Sequence, residues 1–333
     1  MPISMSPREN YLACLRHEPH QYTPSMPDAA AAGITMPIER GIGGAGTDAW
    51  GVNWVAPVSG GMGAALPKPG EFLLEDITKW RSVVTIPDLS VFDWEGTVEA
   101  EAGMYNRDMQ AVEIYSMNFI YERLATLMGF EEALLAMATE PDATYALLEA
   151  IVDWKIEGLK YYVKYFNPDV YIFFDDVATE RMLFMSPDTY RALIKPLHTK
   201  MVTACKELGV IPIQHTCGKA DVIVEDMIDE GCEGWHVVQA QNNIEEILEK
   251  YGKQFVIMGG YDTTGAPGQP FATEEMVRAE VRRCMDTYAK YGYGYVFFGQ
   301  VLTELDPANP FYNGPMNDAI MDEFMKIREE QTK

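Results

Sequence analysis

His215 and Cys217 stand one residue apart in His215-Thr216-Cys217-Gly218, directly after the apolar run Val210 to Gln214. An imidazole and a thiolate at that spacing, both turned to the same side of a strand end, make half of a tetrahedral zinc site. Spacing leaves the third ligand open among Asp175, Asp176, Glu180, Asp262, Gln300 and Glu304. No other cysteine competes. Cys205 and Cys284 fall in helical patterns and Cys232 follows one, while Cys14 lies in the N-terminal segment. Five cysteines, odd in number and loosely spaced, do not form a disulfide framework.

Other polar residues gather at the same kind of position. Asp175 and Asp176 end an apolar run, as do Gln239, Tyr261 with Asp262, and Gln300; Asp28 and Asn118 join them from the first half. Paired carboxylates can share protons or orient a substrate hydroxyl. Asp176 and Gln239 are the candidates for catalytic positioning, and Asp28, Asn118, Asp175, Tyr261 and Gln300 for substrate contact. The ordinary alternative for an Asp at such a place is to cap the next turn.

The elements that must position these residues alternate. Strands are expected at Asp169–Phe174, Val210–Gln214, Gly234–Val238, Phe255–Met258 and Tyr295–Phe298, with weaker candidates at Thr23–Met26 and Ala111–Ser116. Helices are expected at Thr139–Phe166, Asp188–Leu208 with an adjustment at Pro196, Val222–Glu230, Ile244–Tyr251, Thr273–Tyr291 and Asn317–Glu330. Strands apolar throughout, separated by helices, imply a parallel sheet covered on both faces. The count approaches eight, which predicts a (β/α)8 TIM barrel over 1–333 as a single domain. In such barrels the site lies at the C-terminal ends of the strands. Within that domain 22–70 reads as an irregular N-terminal segment and 71–333 as the remainder of the barrel. Gly41 to Pro69, with eight glycines, Trp50 and Trp54, is expected to form a long Gly-rich loop over the barrel mouth.

Bulk properties set the outer bounds. A hydrophobic share of 47% supports a sizeable core, and a net charge of −24 argues against a nucleic-acid surface. No apolar run has the length of a membrane span, and Met1 to Glu9 lacks a signal-peptide core, so a cytoplasmic location is expected. A homodimer is compatible with the sequence.

In order along the chain, several motifs resemble the uroporphyrinogen decarboxylase superfamily, which includes the corrinoid-dependent methyltransferases. They are Pro7-Arg8-Glu9-Asn10-Tyr11 with Leu15-Arg16, Leu127-Met128-Gly129-Phe130-Glu131, Asp175-Asp176, and Ser186-Pro187 through Lys195-Pro196. His215-Thr216-Cys217-Gly218 and Gly259-Gly260-Tyr261-Asp262 complete the set. The resemblance implies a (β/α)8 barrel. The decarboxylase branch grips its polyanion with an Arg-rich N-terminal segment, whereas here Arg40 stands in a Gly-rich stretch. The methyltransferase branch holds zinc with a His-x-Cys pair, matching His215 and Cys217. Its thiol-methylating members add a Cys after the last strand, where this chain has Gln300.

The N-terminal segment and Trp50-Gly51-Val52-Asn53-Trp54 look like the members that demethylate small aromatic methyl ethers. That likeness implies methyl transfer to the cobalt of a separate corrinoid (cobalamin) protein, assisted by zinc. The alternatives are a decarboxylase, a methyltransferase with another donor or a thiol acceptor, and a non-catalytic corrinoid-binding scaffold.

Overall fold

The structure is a computed structural model that describes residues 3–31, 34–35, 45–55, 65–101, 103–301 and 314–331. Arg40, Glu304, Pro307, Pro310 and most of the glycines between 41 and 63 lie outside the described residues.

Ten strands are described: β1 (Ile34–Thr35), β2 (Gly46–Thr47), β3 (Asn53–Val55), β4 (Leu66–Pro67), β5 (Glu113–Ser116), β6 (Val170–Phe174), β7 (Ile211–His215), β8 (Gly234–Val238), β9 (Val256–Gly260) and β10 (Tyr295–Phe298). Seven of them form one parallel sheet in the order β1-β5-β6-β7-β8-β9-β10. The N-terminal stretch touches both edges of this sheet. Ser25 bridges Phe297 of β10, and Ala30 bridges Ala111 just ahead of β5, both in parallel. With helices between successive strands, this is the (β/α)8 barrel that the sequence predicts.

Residue parity divides the core in two. Val170, Ile172 and Phe174, Ile211 and Ile213, Val256 and Met258, and Val296 share one cluster with Tyr11, Leu12, Cys14 and Leu15 of the helix Pro7–Leu15. The intervening residues, among them Tyr171, Phe173, Trp235, Ile257 and Phe297, pack in a second cluster with the helices. Alternate residues of a strand point to opposite faces. The first cluster is therefore the barrel interior, and the N-terminal helix plugs it. That helix begins with a capping box, Ser6 accepting from the Glu9 amide and Glu9 from the Ser6 amide.

Element bounds follow the expectations closely from β6 onward. The adjustment at Pro196 is a π-helical turn, Tyr190–Ile194, between Pro187–Thr189 and Lys195–Glu207. A proline has no N–H to bond the carbonyl four residues back, so the turn widens there. The Thr23–Met26 strand shrinks to the single bridge at Ser25, because Pro24 and Pro27 flank it without ladder donors.

The described part of the Gly-rich stretch is ordered into a small antiparallel sheet, β2-β3-β4. Asp48 pins it, accepting from the Trp50 and Val52 amides and from Trp54 Nε1. Asp48 also pairs at 2.6 Å with the fully buried Arg123 of the helix Ile120–Met128. Among the described residues no helix is long and apolar enough to cross a membrane.

Candidate active site

The alternation that builds the barrel also aims the chemistry. Continuing inward parity along β6 from Val170, Ile172 and Phe174 selects Asp176 and rejects Asp175. Along β7 it selects His215 and, one step beyond the strand, Cys217. These three do converge: one donor atom from each of Asp176, His215 and Cys217 lies within 4.8 Å of the others. His215 Nε2 is 3.5 Å from Cys217 Sγ and 3.7 Å from Asp176 Oδ1. Among the described carboxylates that spacing left open, Asp176 is the one brought to the pair.

The loop that carries Cys217 is held from four directions. The Cys217 amide donates to Asp176 Oδ1 at 2.6 Å, and the Gly218 amide donates to Gln239 Oε1 at 2.8 Å. Asn242 accepts from the Ala220 and Asp221 amides and donates to the Gly218 carbonyl. The Thr216 hydroxyl accepts from the Val177 amide, while Trp235 Nε1 donates to the Thr216 carbonyl. Gly218 has φ +86, and a Cβ there would sit 2.4 Å from the Thr179 carbonyl oxygen. Only glycine allows the β6 and β7 loops this approach.

Electrostatics at the trio are unrelieved. Burial pushes the Asp176 carboxyl up to about 6, and the nearby Asp175 adds to this against the Cys217 amide bond. Burial, then Asp176 and Glu122, drive the Cys217 thiol well above its ordinary value. Glu122, whose Oε1 accepts from the Asp176 amide, is itself raised well up by burial and by the two aspartates. Burial and the adjacent His236 hold the His215 imidazole well below its ordinary range. Burial thus favours the neutral form of all three groups, and a divalent cation would stabilise the carboxylate and thiolate that burial disfavours. Nitrogen, sulfur and carboxylate oxygen with a fourth position open is a donor set that zinc takes in catalytic sites. The residues present therefore fit a zinc ion.

Aromatic rings surround the trio. Phe174 stacks on His215 with centroids 3.9 Å apart, and His236 lies near Phe298, Phe174 and Tyr115 at 5.3, 6.0 and 6.3 Å. His215 Nδ1 and His236 Nδ1 are 2.8 Å apart. From sequence, His236 lies inside a strand and reads as packing in the core or between sheet and helix. Its parity with Gly234, matched to the His215 register, was the signal that it faces inward.

The remaining candidates lie elsewhere. Asp175 is fully buried, accepting from the Glu122 amide and meeting His198 Nε2 at 2.9 Å. Gln239 is committed to the Gly218 amide and the Gln241 side chain. Asp28 pairs at 2.6 Å with Arg328 of the helix Gly314–Gln331. The buried Tyr261 donates to the Pro267 carbonyl and closes the β9 loop. Asp262 accepts from the Thr264 and Gly265 amides in its own turn, and Glu180 is exposed. Asn118 is half-buried with φ 46, at the turn between β5 and the next helix. Gln300 is half-buried just past β10, in phase with the inward Val296 and Phe298.

A parallel barrel with nitrogen, sulfur and oxygen donors at the C-terminal ends of two neighbouring strands defines a barrel protein with its site at the mouth. Residues 123–299 match the family model of uroporphyrinogen decarboxylase (URO-D), and the chain belongs to that family. Among solved structures, a methyltransferase from Methanosarcina mazei shares the fold. Its TM-score is 0.67 at 14% identity, over 97% of this chain and 99% of that one. The comparison with curated proteins gives no match.

Proposed function

We propose that the protein is a methyltransferase of the corrinoid-dependent kind, moving a methyl group from a small aromatic methyl ether to the cobalt of a separate corrinoid protein. The observation that carries this reading is the convergence of Asp176, His215 and Cys217 at the barrel mouth beneath an aromatic wall. The family match, the shared fold of a methyltransferase, and the motif likeness described above support it.

The inward residues around the trio, Tyr115, Phe174, His236 and Phe298, suit a flat apolar ring and offer no guanidinium for a polycarboxylate. That disfavours the decarboxylase reading.

Asp176 Oδ1, His215 Nε2 and Cys217 Sγ would hold zinc, which when bound supplies Lewis acidity to an ether oxygen as that oxygen gains charge. The chain's own residues do the rest. Phe174 and Phe298 bound the ring, and Gln239 and Asn242 fix the Cys217 loop. The oxygen–methyl bond breaks and a cobalt–methyl bond forms, so the phenolate leaves as the phenol after taking a proton from solvent. The methyl acceptor belongs to the partner, and this chain needs no nucleophile of its own.

The test is methyl transfer from 2-methoxyphenol to added cob(I)alamin, followed by absorbance, with zinc measured on the same protein. The expected outcome is about one zinc per chain and turnover, both lost in His215→Ala. Full zinc retention in that variant, or no transfer from a broad panel of methyl ethers, overturns the reading.

A further inference from the structure

His236 enters the proposed chemistry only as part of the ring-lined wall, yet its placement is specific. It is 4% exposed, lies on the inward face of β8 beside His215, and among the described residues has no hydrogen-bond partner at Nε2. Its Nδ1 is 2.8 Å from His215 Nδ1. A nitrogen–nitrogen contact of that length needs one shared proton, so one ring donates and the other accepts.

Two arrangements satisfy it. In the first, His215 carries its proton on Nδ1 and keeps a lone pair on Nε2, towards Cys217 and Asp176. His236 then accepts at Nδ1 and carries its proton on Nε2. In the second, both tautomers are reversed. A cation held by His215 Nε2 uses the lone pair there and leaves only the first.

We propose that His236 is a substrate-binding residue whose Nε2–H donates to an oxygen of the bound ligand, and that metal occupancy at His215 sets it as a donor. This rests on the metal reading of the trio. The surroundings leave that N–H few other partners. The rings near it are Phe298, Phe174 and Tyr115, and the Tyr115 hydroxyl, which donates to Glu113, makes no hydrogen bond with His236 Nε2. A buried donor without a partner is costly, so a ligand bringing an acceptor is selected over one that brings a methylene. The class recognised is an aryl methyl ether that lies flat against Phe174 or Phe298 and turns its ether oxygen towards His236. The same residue positions His215, as the partner that fixes a ligand histidine's tautomer and ring orientation.

The experiment has two readouts besides turnover. The first is nitrogen-15 NMR of the histidine side chains in the zinc-loaded protein. The expected spectrum has His236 protonated at Nε2 and bare at Nδ1. The second is calorimetric binding of 2-methoxyphenol against 2-ethylphenol, which replaces the ether oxygen with a methylene. Wild type is expected to prefer the ether by about tenfold.

His236→Phe, saturated with zinc, is expected to lose that preference and to bind zinc about 10–100-fold more weakly. His236→Gln keeps an acceptor for His215 and a donor for the ligand, and is expected to recover most of both. Zinc at one per chain with an unchanged preference in His236→Phe, or a proton on His236 Nδ1, overturns this proposal and leaves the metal reading standing. Wild-type protein that takes up no zinc overturns both.

Discussion

Two clusters meet at the end of β6, one residue apart, and each contains a histidine and at least one carboxylate. Outward lie Asp175, His198, Tyr190 and Glu230, all buried. Asp175 Oδ2 meets His198 Nε2 at 2.9 Å, and His198 Nδ1 lies 3.2 Å from the Tyr190 hydroxyl. Tyr190 donates to Glu230 at 2.8 Å. Inward lie Asp176, His215 and Cys217. Their donor atoms converge, but burial raises the acid and the thiol and depresses the imidazole. The first cluster satisfies its own charges and holds the helix Lys195–Glu207 to the sheet. The second does not, and that deficit sets the candidate site apart. A perturbed acid beside a histidine is informative only when its partners are counted.

Breaking the outward cluster should give the largest effect. His198→Leu leaves Asp175 and Glu230 as buried charges and is expected to cost about 3–5 kcal/mol in urea denaturation. A loss below ~1 kcal/mol would remove the contrast.

The pH dependence sharpens this. Burial alone would lower His198, but its bonds to Asp175 and Glu230 outweigh burial and hold it at about 9. The unfolded value is about 6.5. A histidine raised in the folded state stabilises fully below the unfolded value, and the gain is lost as pH rises through the folded one. The penalty of His198→Leu is therefore expected to be greatest near pH 6 and to shrink by pH 9.5. A penalty that grew with pH would contradict the pairing.

The inward cluster should respond the other way. Asp176→Asn is expected to change stability by less than about 1 kcal/mol, because burial already disfavours the charged carboxylate and an amide oxygen can still accept from the Cys217 amide. It is expected to weaken zinc binding beyond the ~100-fold loss typical of an outer partner. Equal losses of stability in Asp176→Asn and His198→Leu would erase the distinction between the clusters.

Gln239→Leu sits between the two extremes. It frees the Gly218 amide without touching the trio, and about a tenfold loss of zinc affinity with little change in unfolding is expected. Smallest is Tyr190→Phe, which removes hydrogen bonds to Glu230 and His198 while filling the same space. It should cost about 1 kcal/mol by denaturation and leave zinc binding unchanged.

Much of the barrel was legible because its signals are local. The runs at 170–174, 211–215, 234–238 and 295–298 are apolar on both faces, as a doubly covered strand requires, and each sits beside a capped or periodic helix. The N-terminal strand was not, since Pro24 and Pro27 leave only a bridge that β10 must complete. The Gly-rich stretch reads as loop because Asp48 and Arg123, 75 residues apart, supply the order.

For the candidate site, the sequence by itself determined the donor types and the strands that carry them: His215 at the end of β7 with Cys217 just beyond it, and an aspartate pair beyond β6. Residue chemistry and strand phase are local, so no neighbour was needed to read them. Only the tertiary structure decided which aspartate serves. It sent Asp175 to His198 and Asp176 to the trio, drew Gln239 into the loop, sent Asp28 to Arg328, and set His236 against His215. Those choices depend on which strands lie side by side and in what register, and pairing across a barrel is fixed by packing between residues far apart in the chain.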